Sequence, residues 1–209
     1  MSFTSKAIAY PHAELFSGLV ETTLEALYLV EAARQGKITR IVRRLSTSER
    51  QAMIKSGAVF TFSVEESGIK RWTDGRLWSP SRIDGNFLVY TEMLERTPRP
   101  SQKKDIDLKP AFTREETNEA HLSLTASSPL NVVKAGGLLK KTVTVTTDDG
   151  DQHIVSYYTP ADAQPGRLST VTMETKISSI ELDPSRFVFS RFRYPPTIVL
   201  NDRGFIRTM

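Results

Sequence analysis

The side chains best suited to chemistry crowd into one run, Gly68-Ile69-Lys70-Arg71-Trp72-Thr73-Asp74-Gly75-Arg76-Leu77-Trp78-Ser79-Pro80-Ser81-Arg82-Ile83. Arginine can insert into a DNA minor groove or pair bidentately with guanine, and hydroxyls and loop amides can hold phosphate oxygens. Tryptophans in a polar loop are costly unless they dock on a core, so Trp72 and Trp78 are expected to anchor this loop while its arginines point outward. The same residues would also suit a plain surface loop with two packed tryptophans and solvated charges.

Charge distribution adds to the first of these readings. The net charge is only +4, which says little about a partner. From Arg34 to Lys55, however, Arg34, Lys37, Arg40, Arg43, Arg44, Arg50 and Lys55 face a single acid, Glu49. From Lys70 to Arg82, Lys70, Arg71, Arg76 and Arg82 face Asp74 alone. Clustered charge of one sign is the footprint of a polyanion partner, although a solvated basic face has the same composition. Within this block Arg43-Arg44-Leu45-Ser46 fits the consensus of a basophilic kinase, and a phosphate added there would weaken attraction to DNA. Ser46 is also a good helix N-cap.

Other chemistries find less support. There is no cysteine, which excludes disulfides and thiolate zinc sites and suits a reducing compartment. Asp148, Asp149 and Asp151 lack the spacing and terminal glutamate of an EF-hand and read as turn residues. His12, His121 and His153 are far apart in sequence. No nucleophile and base pair, carboxylate pair or glycine-rich phosphate loop stands out, so neither an enzyme nor a cofactor is expected. No run approaches the roughly 20 apolar residues that span a bilayer, and Met1 to Pro11 lacks the apolar centre of a secretory signal, so an intracellular protein without a membrane partner is expected.

The elements that position the basic loop are legible to different degrees. Thr22 and Glu25 are spaced as a capping box, Leu24, Leu27, Tyr28 and Glu31 recur at helical intervals, and Gly36 closes the segment, so a helix is expected over Thr22 to Gln35. Ser46 and Glu49 repeat the box, predicting a second helix that ends at Gly57. Ala58 to Val64, rich in β-branched and aromatic residues, reads as a strand, and Asn86 to Thr91 as another. Glu65 to Asp84 shows no clear period and reads as a loop between them. Pro98 to Ser128 is polar and proline-containing, with one short helix expected around Thr113 to His121. Leu138 to Thr146 and Gln152 to Tyr158, separated by Asp148-Asp149-Gly150-Asp151, predict a hairpin. The remainder contains strand-like pieces such as Arg186 to Phe192, broken by Pro165, Pro184, Pro195 and Pro196. The class is α+β, mostly β-sheet with a few short helices.

Several of these strings resemble the WOPR domain of fungal regulators of morphological switching and development. The resemblance lies in Arg71-Trp72-Thr73-Asp74-Gly75-Arg76, Trp78-Ser79-Pro80-Ser81-Arg82-Ile83 and Phe87-Leu88-Val89-Tyr90. Upstream it includes Thr23 to Leu27, Arg43-Arg44-Leu45, Glu49-Arg50 and Ser56 to Phe60. It resumes at Leu139-Lys140-Lys141-Thr142 and at His153 to Thr159. The resemblance implies a single domain over 1–209. Blocks 18–93 and 136–168, joined by a polar insertion at 94–135, fold together into one DNA-binding unit, and 169–209 form a C-terminal extension. It further implies a nuclear, sequence-specific transcription regulator that reads AT-rich double-stranded DNA partly through the minor groove, with other transcription regulators as further partners. Carried over by position, the expected DNA-contacting set is Arg43, Arg44, Arg71, Trp72, Thr73, Asp74, Arg76, Trp78, Ser79, Ser81 and Arg82, with Lys140 and Lys141 as phosphate contacts and Ser46 as a phosphorylation candidate. Replacing Arg76 with Ala should then weaken specific binding. The alternative is a protein-interaction or single-stranded RNA-binding module, in which bases stack on exposed aromatics.

Overall fold

The computed structural model describes residues 14–94 and 132–207. The helix expected at 113–121 and most of the polar insertion lie outside the described residues.

Helix α1 (Thr23–Arg34) begins at its capping box: Thr22 Oγ1 accepts the Glu25 N–H at 3.2 Å, and Glu25 Oε2 accepts the Thr22 N–H at 2.9 Å. Two donors that a helix start leaves orphaned are thereby satisfied. Every residue from Glu25 to Ala33 is buried, so α1 is a helix packed nearly all round rather than a half-exposed one. Helix α2 (Thr47–Met53) has the same box, with Ser46 Oγ accepting from Glu49 N at 3.3 Å and Glu49 accepting from Ser46 N at 2.7 Å. It ends before the expected Gly57. Ile54 turns to extended backbone (φ −85°, ψ 93°) and buries its side chain to 3% exposure, drawing the chain off the helix axis. No residue of α2 itself is buried.

Strand β1 (Val59–Ser63) runs into a single helical turn, α3 (Val64–Ser67). Strand β2 (Arg82–Asp84) pairs with β3 (Phe87–Thr91) across a tight turn. The hairpin β4 (Leu139–Thr147) and β5 (Gly150–Tyr158) turns through Asp148 and Asp149, with Gly150 at φ +94°. These strands form one five-stranded antiparallel sheet in the order β1-β5-β4-β3-β2. The hairpin from the second half of the chain lies between strands from the first, so every sheet neighbour of β1 and β3 other than β2 is a distant part of the sequence.

Alternation along the strands gives the sheet two packed faces. On one, Val59, Phe87, Val143, Val145 and Ile154 meet α1. The same core takes Val171, Ile177, Ile180, Leu182, Phe187, Phe192 and Ile206 from the C-terminal residues. On the other, Phe60, Phe62, Val155 and Tyr157 meet Ile41, Leu45, Ile54, Ile69 and Trp78. Two expectations are corrected. Arg82 to Asp84, read as part of a loop, is a strand: three exposed residues carry no burial pattern, and pairing with β3 alone defines it. Arg186 to Phe192, read as strand-like, instead lies in two 3₁₀ turns, Pro184–Arg186 and Phe189–Arg191. These turns bring Phe187 and Phe192 together into the core, where an extended strand would send one of them out; only the single bridge Thr147 to Phe187 resembles a ladder.

Gly18 joins the N-terminal segment to both halves of the fold. Its N–H donates to Gly57 O at 2.8 Å, and its neighbour Leu19 bridges to Thr170 in parallel. A Cβ there would stand 2.3 Å from the Ser169 carbonyl oxygen and 2.7 Å from the Phe16 ring. Backbone cannot yield as a side-chain tip can, so Gly18→Ala is expected to destabilise the protein by about 1–3 kcal/mol, measurable as a lower urea midpoint. An unchanged midpoint would mean that Gly18 is not the tight point described here.

Candidate nucleic-acid interface

The basic loop is laid over one face of the sheet by a sequence of local decisions. Helix α3 stops at Gly68 in the left-handed region (φ +65°), and its N–H closes on Val64 O at 2.9 Å. The reversal drops Ile69 into the core at 1% exposure. Trp72 then stacks on Phe62, with ring centroids 5.3 Å apart and planes 17° from parallel, and its indole N–H donates to Tyr157 Oη at 2.7 Å. Trp78 buries to 8% exposure. Both tryptophans therefore dock on the sheet, each with its polar edge satisfied.

Asp74, itself 8% exposed, is the centre of the loop. Its carboxylate accepts from Trp78 Nε1 at 3.0 and 2.9 Å, Tyr157 Oη at 2.8 Å, Lys140 Nζ at 3.0 Å and the Arg76 amide at 3.1 Å. Lys140 Nζ also lies over the Trp78 ring at 4.3 Å and the Tyr90 ring at 4.9 Å. Burial works against the Asp74 carboxylate, yet the Trp78 indole, the Lys140 ammonium and the Arg76 amide together hold its pKa below the usual range. Burial lowers the Lys140 pKa even though Asp74 pulls it the other way. Tyr157 is pushed well above an ordinary phenol by burial and by the neighbouring carboxylate. The proton therefore stays on Tyr157, and the network is an aspartate facing four donors, three of them side chains.

A second buried carboxylate, Glu92, ties the loop to the two ends of the insertion. It accepts from Arg76 Nη1 at 2.6 Å, Lys134 Nζ at 3.0 Å and the Leu138 amide at 2.9 Å. Arg76 Nη2 meanwhile donates to Ile54 O at 3.1 Å. Among the described residues, no buried side-chain polar atom lacks a hydrogen-bond partner.

The expected site residues therefore divide into three groups: turned inward, turned outward, and half-buried at the surface. Turned inward are Asp74, Arg76, Trp78, Lys140 and Lys141. For Arg76 this corrects the expectation that the loop arginines point outward: buried Glu92 and the Ile54 carbonyl need donors, and the guanidinium supplies both. Lys140 and Lys141, expected as phosphate contacts, are each only 9% exposed. As strand neighbours they face opposite sides of the sheet. Lys140 goes to Asp74, while Lys141 donates to Glu21 O at 3.1 Å and lies 4.0 Å over the Phe87 ring. Turned outward are Arg44, Arg71, Thr73, Ser81 and Arg82, all exposed, together with Lys70. Arg44 Nη1 reaches Thr73 Oγ1 at 3.5 Å, which brings the basic stretch of the first block to the loop. Half-buried Trp72, beside Lys70 and Arg71, lines a groove of about 290 Å³ floored by Phe62, Thr142 and Thr144. Half-buried Arg43 pairs with Glu49 at 3.1 Å. Ser79 is also half-buried, its Oγ accepting from Thr91 N at 3.0 Å and donating to Pro80 O at 2.9 Å.

Two residues of this arrangement were not singled out from sequence. Tyr157 was within reach: counting outward from the hairpin turn sets it directly opposite Lys140. Glu92 carries no such signal, because it acts through Lys134, at the far end of the insertion, and Leu138, beyond it. A cleft of about 480 Å³ lies among Glu31, Arg34, Arg40, Glu66 and Arg186. Its charges pair with one another, Arg34 with Glu31, Arg40 with Glu66 and Arg186 with Asp149, so it offers a polyanion no excess positive charge. Among the described residues, no group of three or more His, Asp or Glu could hold a metal ion, and no helix is long and apolar enough to cross a membrane.

Comparison with known proteins places this geometry in context. The profile of the Gti1/Pac2 family matches residues 15–123 and 101–159. The global transcription regulator sge1 of Verticillium dahliae is 35% identical over 220 residues, covering 86% of this chain and 43% of that protein. The cAMP-independent regulatory protein pac2 of Schizosaccharomyces pombe is 34% identical over 169 residues, covering 70% of this chain and 71% of its own. The WOPR domain of Wor1 from Candida albicans, solved in complex with a 17-bp double-stranded DNA, superposes with a TM-score of 0.57 at 28% identity, covering 83% of this chain and 95% of that one. The chain spans about half the length of the global transcription regulators it matches.

Proposed function

From the premise that the chain belongs to the Gti1/Pac2 family, we propose that it is a sequence-specific double-stranded DNA-binding regulator of transcription, acting in the nucleus and reading AT-rich sites partly through the minor groove. The observation that carries this reading is the locked loop. Asp74, Trp78, Tyr157 and Lys140 fix its backbone to the sheet, while Arg71, Thr73, Ser81 and Arg82 stay exposed. A preorganised set of donors loses little entropy on binding, which favours affinity and a defined register on the duplex. Arg44 and Lys70 extend the cationic surface on either side of Thr73 in sequence. Asp74, Arg76, Trp78, Lys140 and Lys141 act as scaffold in this account, and Arg71 and Arg82 as the readers. The sge1 relative is a global transcription regulator and pac2 a regulatory protein, and the DNA in the Wor1 WOPR complex supports the choice of partner. Other transcription regulators are further partners on this reading, and no catalytic residue is assigned.

Half-buried Trp72, stacked on Phe62 and flanked by Lys70 and Arg71, also suits a single-stranded RNA whose bases stack on aromatic side chains. Tryptophan emission separates the two readings. With Trp78 buried and Trp72 held by Phe62 and Tyr157, emission should change little when an AT-rich duplex binds. Strong quenching by single-stranded RNA, with no saturable response to duplex, would transfer the function to the RNA-binding reading.

A further inference from the structure

We propose that Ser46 is a phosphorylation site for an arginine-directed serine kinase and that its phosphate weakens binding of DNA; the second half of this proposal rests on the DNA-binding reading above. Three observations carry it. Arg43 and Arg44 stand three and two residues before Ser46, the spacing that a basophilic kinase reads with its own carboxylates. Both Ser46 and Arg44 are exposed, and the stretch from Val42 to Ser46 has no regular secondary structure. Helix α2, which follows, buries none of its residues, so its first turn can leave the surface to occupy a kinase cleft at the cost of one neighbouring core side chain, Leu45.

The reaction is a simple group transfer. A kinase carboxylate takes the hydroxyl proton of Ser46, the Ser46 Oγ–P bond forms to the γ-phosphorus of magnesium-bound ATP, and the bond from that phosphorus to the bridging oxygen breaks to release ADP.

The surroundings of Ser46 decide what the product does. Ser46 N–H donates to Glu49, and Arg43 pairs with the same carboxylate at 3.1 Å. That pairing, with burial opposing it and Ser46 assisting, lowers the Glu49 pKa to about 2, so Glu49 is an anion throughout the physiological range. A phosphate dianion here competes with Glu49 for Arg43 and is repelled by it, which turns it toward Arg44. Arg44 is the guanidinium that reaches Thr73 of the DNA-reading loop. Phosphorylation thus adds negative charge beside the interface and takes up one or two of its cations.

The test uses the whole chain with magnesium-ATP and the catalytic subunit of an arginine-directed serine kinase. Mass spectrometry locates the phosphate, and duplex binding is measured before and after. Phosphate on Ser46 is expected, with binding weakened about tenfold at physiological salt and the slope of log K against log salt shallower by about one to two. Ser46→Asn, which keeps a capping side chain and cannot accept phosphate, should fold, bind like the unmodified chain and be insensitive to the kinase. Incorporation elsewhere with Ser46 unmodified overturns the site. Phosphate on Ser46 with unchanged binding overturns the regulatory role. Failure of the unmodified chain to bind any duplex overturns the parent reading and that role together, while the location of the phosphate still decides the site.

Discussion

Replacing Asp74 with Ala is expected to lower the unfolding free energy by about 3–5 kcal/mol, the usual result of leaving a buried charge without its partner. The estimate follows from what is stranded. Lys140 is 9% exposed and would keep two aromatic faces but lose its only hydrogen-bonded anion among the described residues. The Trp78 indole N–H and the Tyr157 hydroxyl lose their acceptor at the same time. Duplex binding should disappear with the loop, even under conditions where the variant remains folded. Asp74→Asn separates charge from shape: its amide oxygen can still accept from Trp78, but its NH₂ faces the donors Lys140 and Tyr157, so a smaller loss is expected. Because the folded pKa of Asp74 lies below its unfolded value, the contribution of the carboxylate is full above the unfolded pKa. It is lost as pH falls through the folded pKa, so the gap between wild type and Asp74→Asn should narrow in acid. Urea titrations across pH, read by far-ultraviolet circular dichroism, would check both statements. Equal stability of wild type and Asp74→Ala would remove the network from the account.

Arg71→Ala should do the opposite, leaving the fold intact and damaging recognition. Its guanidinium is exposed and has no ion pair among the described residues, so truncation should leave the urea midpoint nearly unchanged. If Arg71 reads a base edge, specific binding weakens by about 1–3 kcal/mol, tenfold or more in Kd, and discrimination between sites relaxes. If it holds a phosphate, all duplexes weaken together and the salt slope falls by about one. Arg82→Ala is the parallel test on the edge strand. Retention of full affinity and specificity after both substitutions would contradict the assignment of readers and scaffold.

The contrast between these two variants also marks what the sequence made legible. Local signals were strong where neighbouring residues decide the structure. Thr22 with Glu25 and Ser46 with Glu49 place the helix starts, and Asp148-Asp149-Gly150 places the hairpin turn. The Trp-Arg loop declared its chemistry through residue types, and the requirement that a tryptophan in a polar loop be docked was enough to place Trp72 and Trp78 on the sheet. Direction within the loop was not legible. Arg76 and Arg71 look alike in sequence, and only the burial of Glu92 beside Ile54 turns the first inward. Lys140 and Lys141 look like a basic pair, yet the strand that carries them sends one to Asp74 and the other to the start of α1. The C-terminal residues misled for a related reason. Phe187, Phe189 and Phe192 suit a strand by composition, but their contacts with the α1 side of the core favour two short turns.

The most direct test of the proposed function is equilibrium binding of the chain to an AT-rich duplex, a GC-rich duplex of equal length and a single-stranded RNA, each across a salt titration. Recognition by a locked basic loop predicts salt-dependent binding that favours the AT-rich duplex by about a thousandfold or more over the GC-rich one. Equal, weak binding to both duplexes, or a preference for RNA, would contradict it and reduce the cationic face to a nonspecific surface.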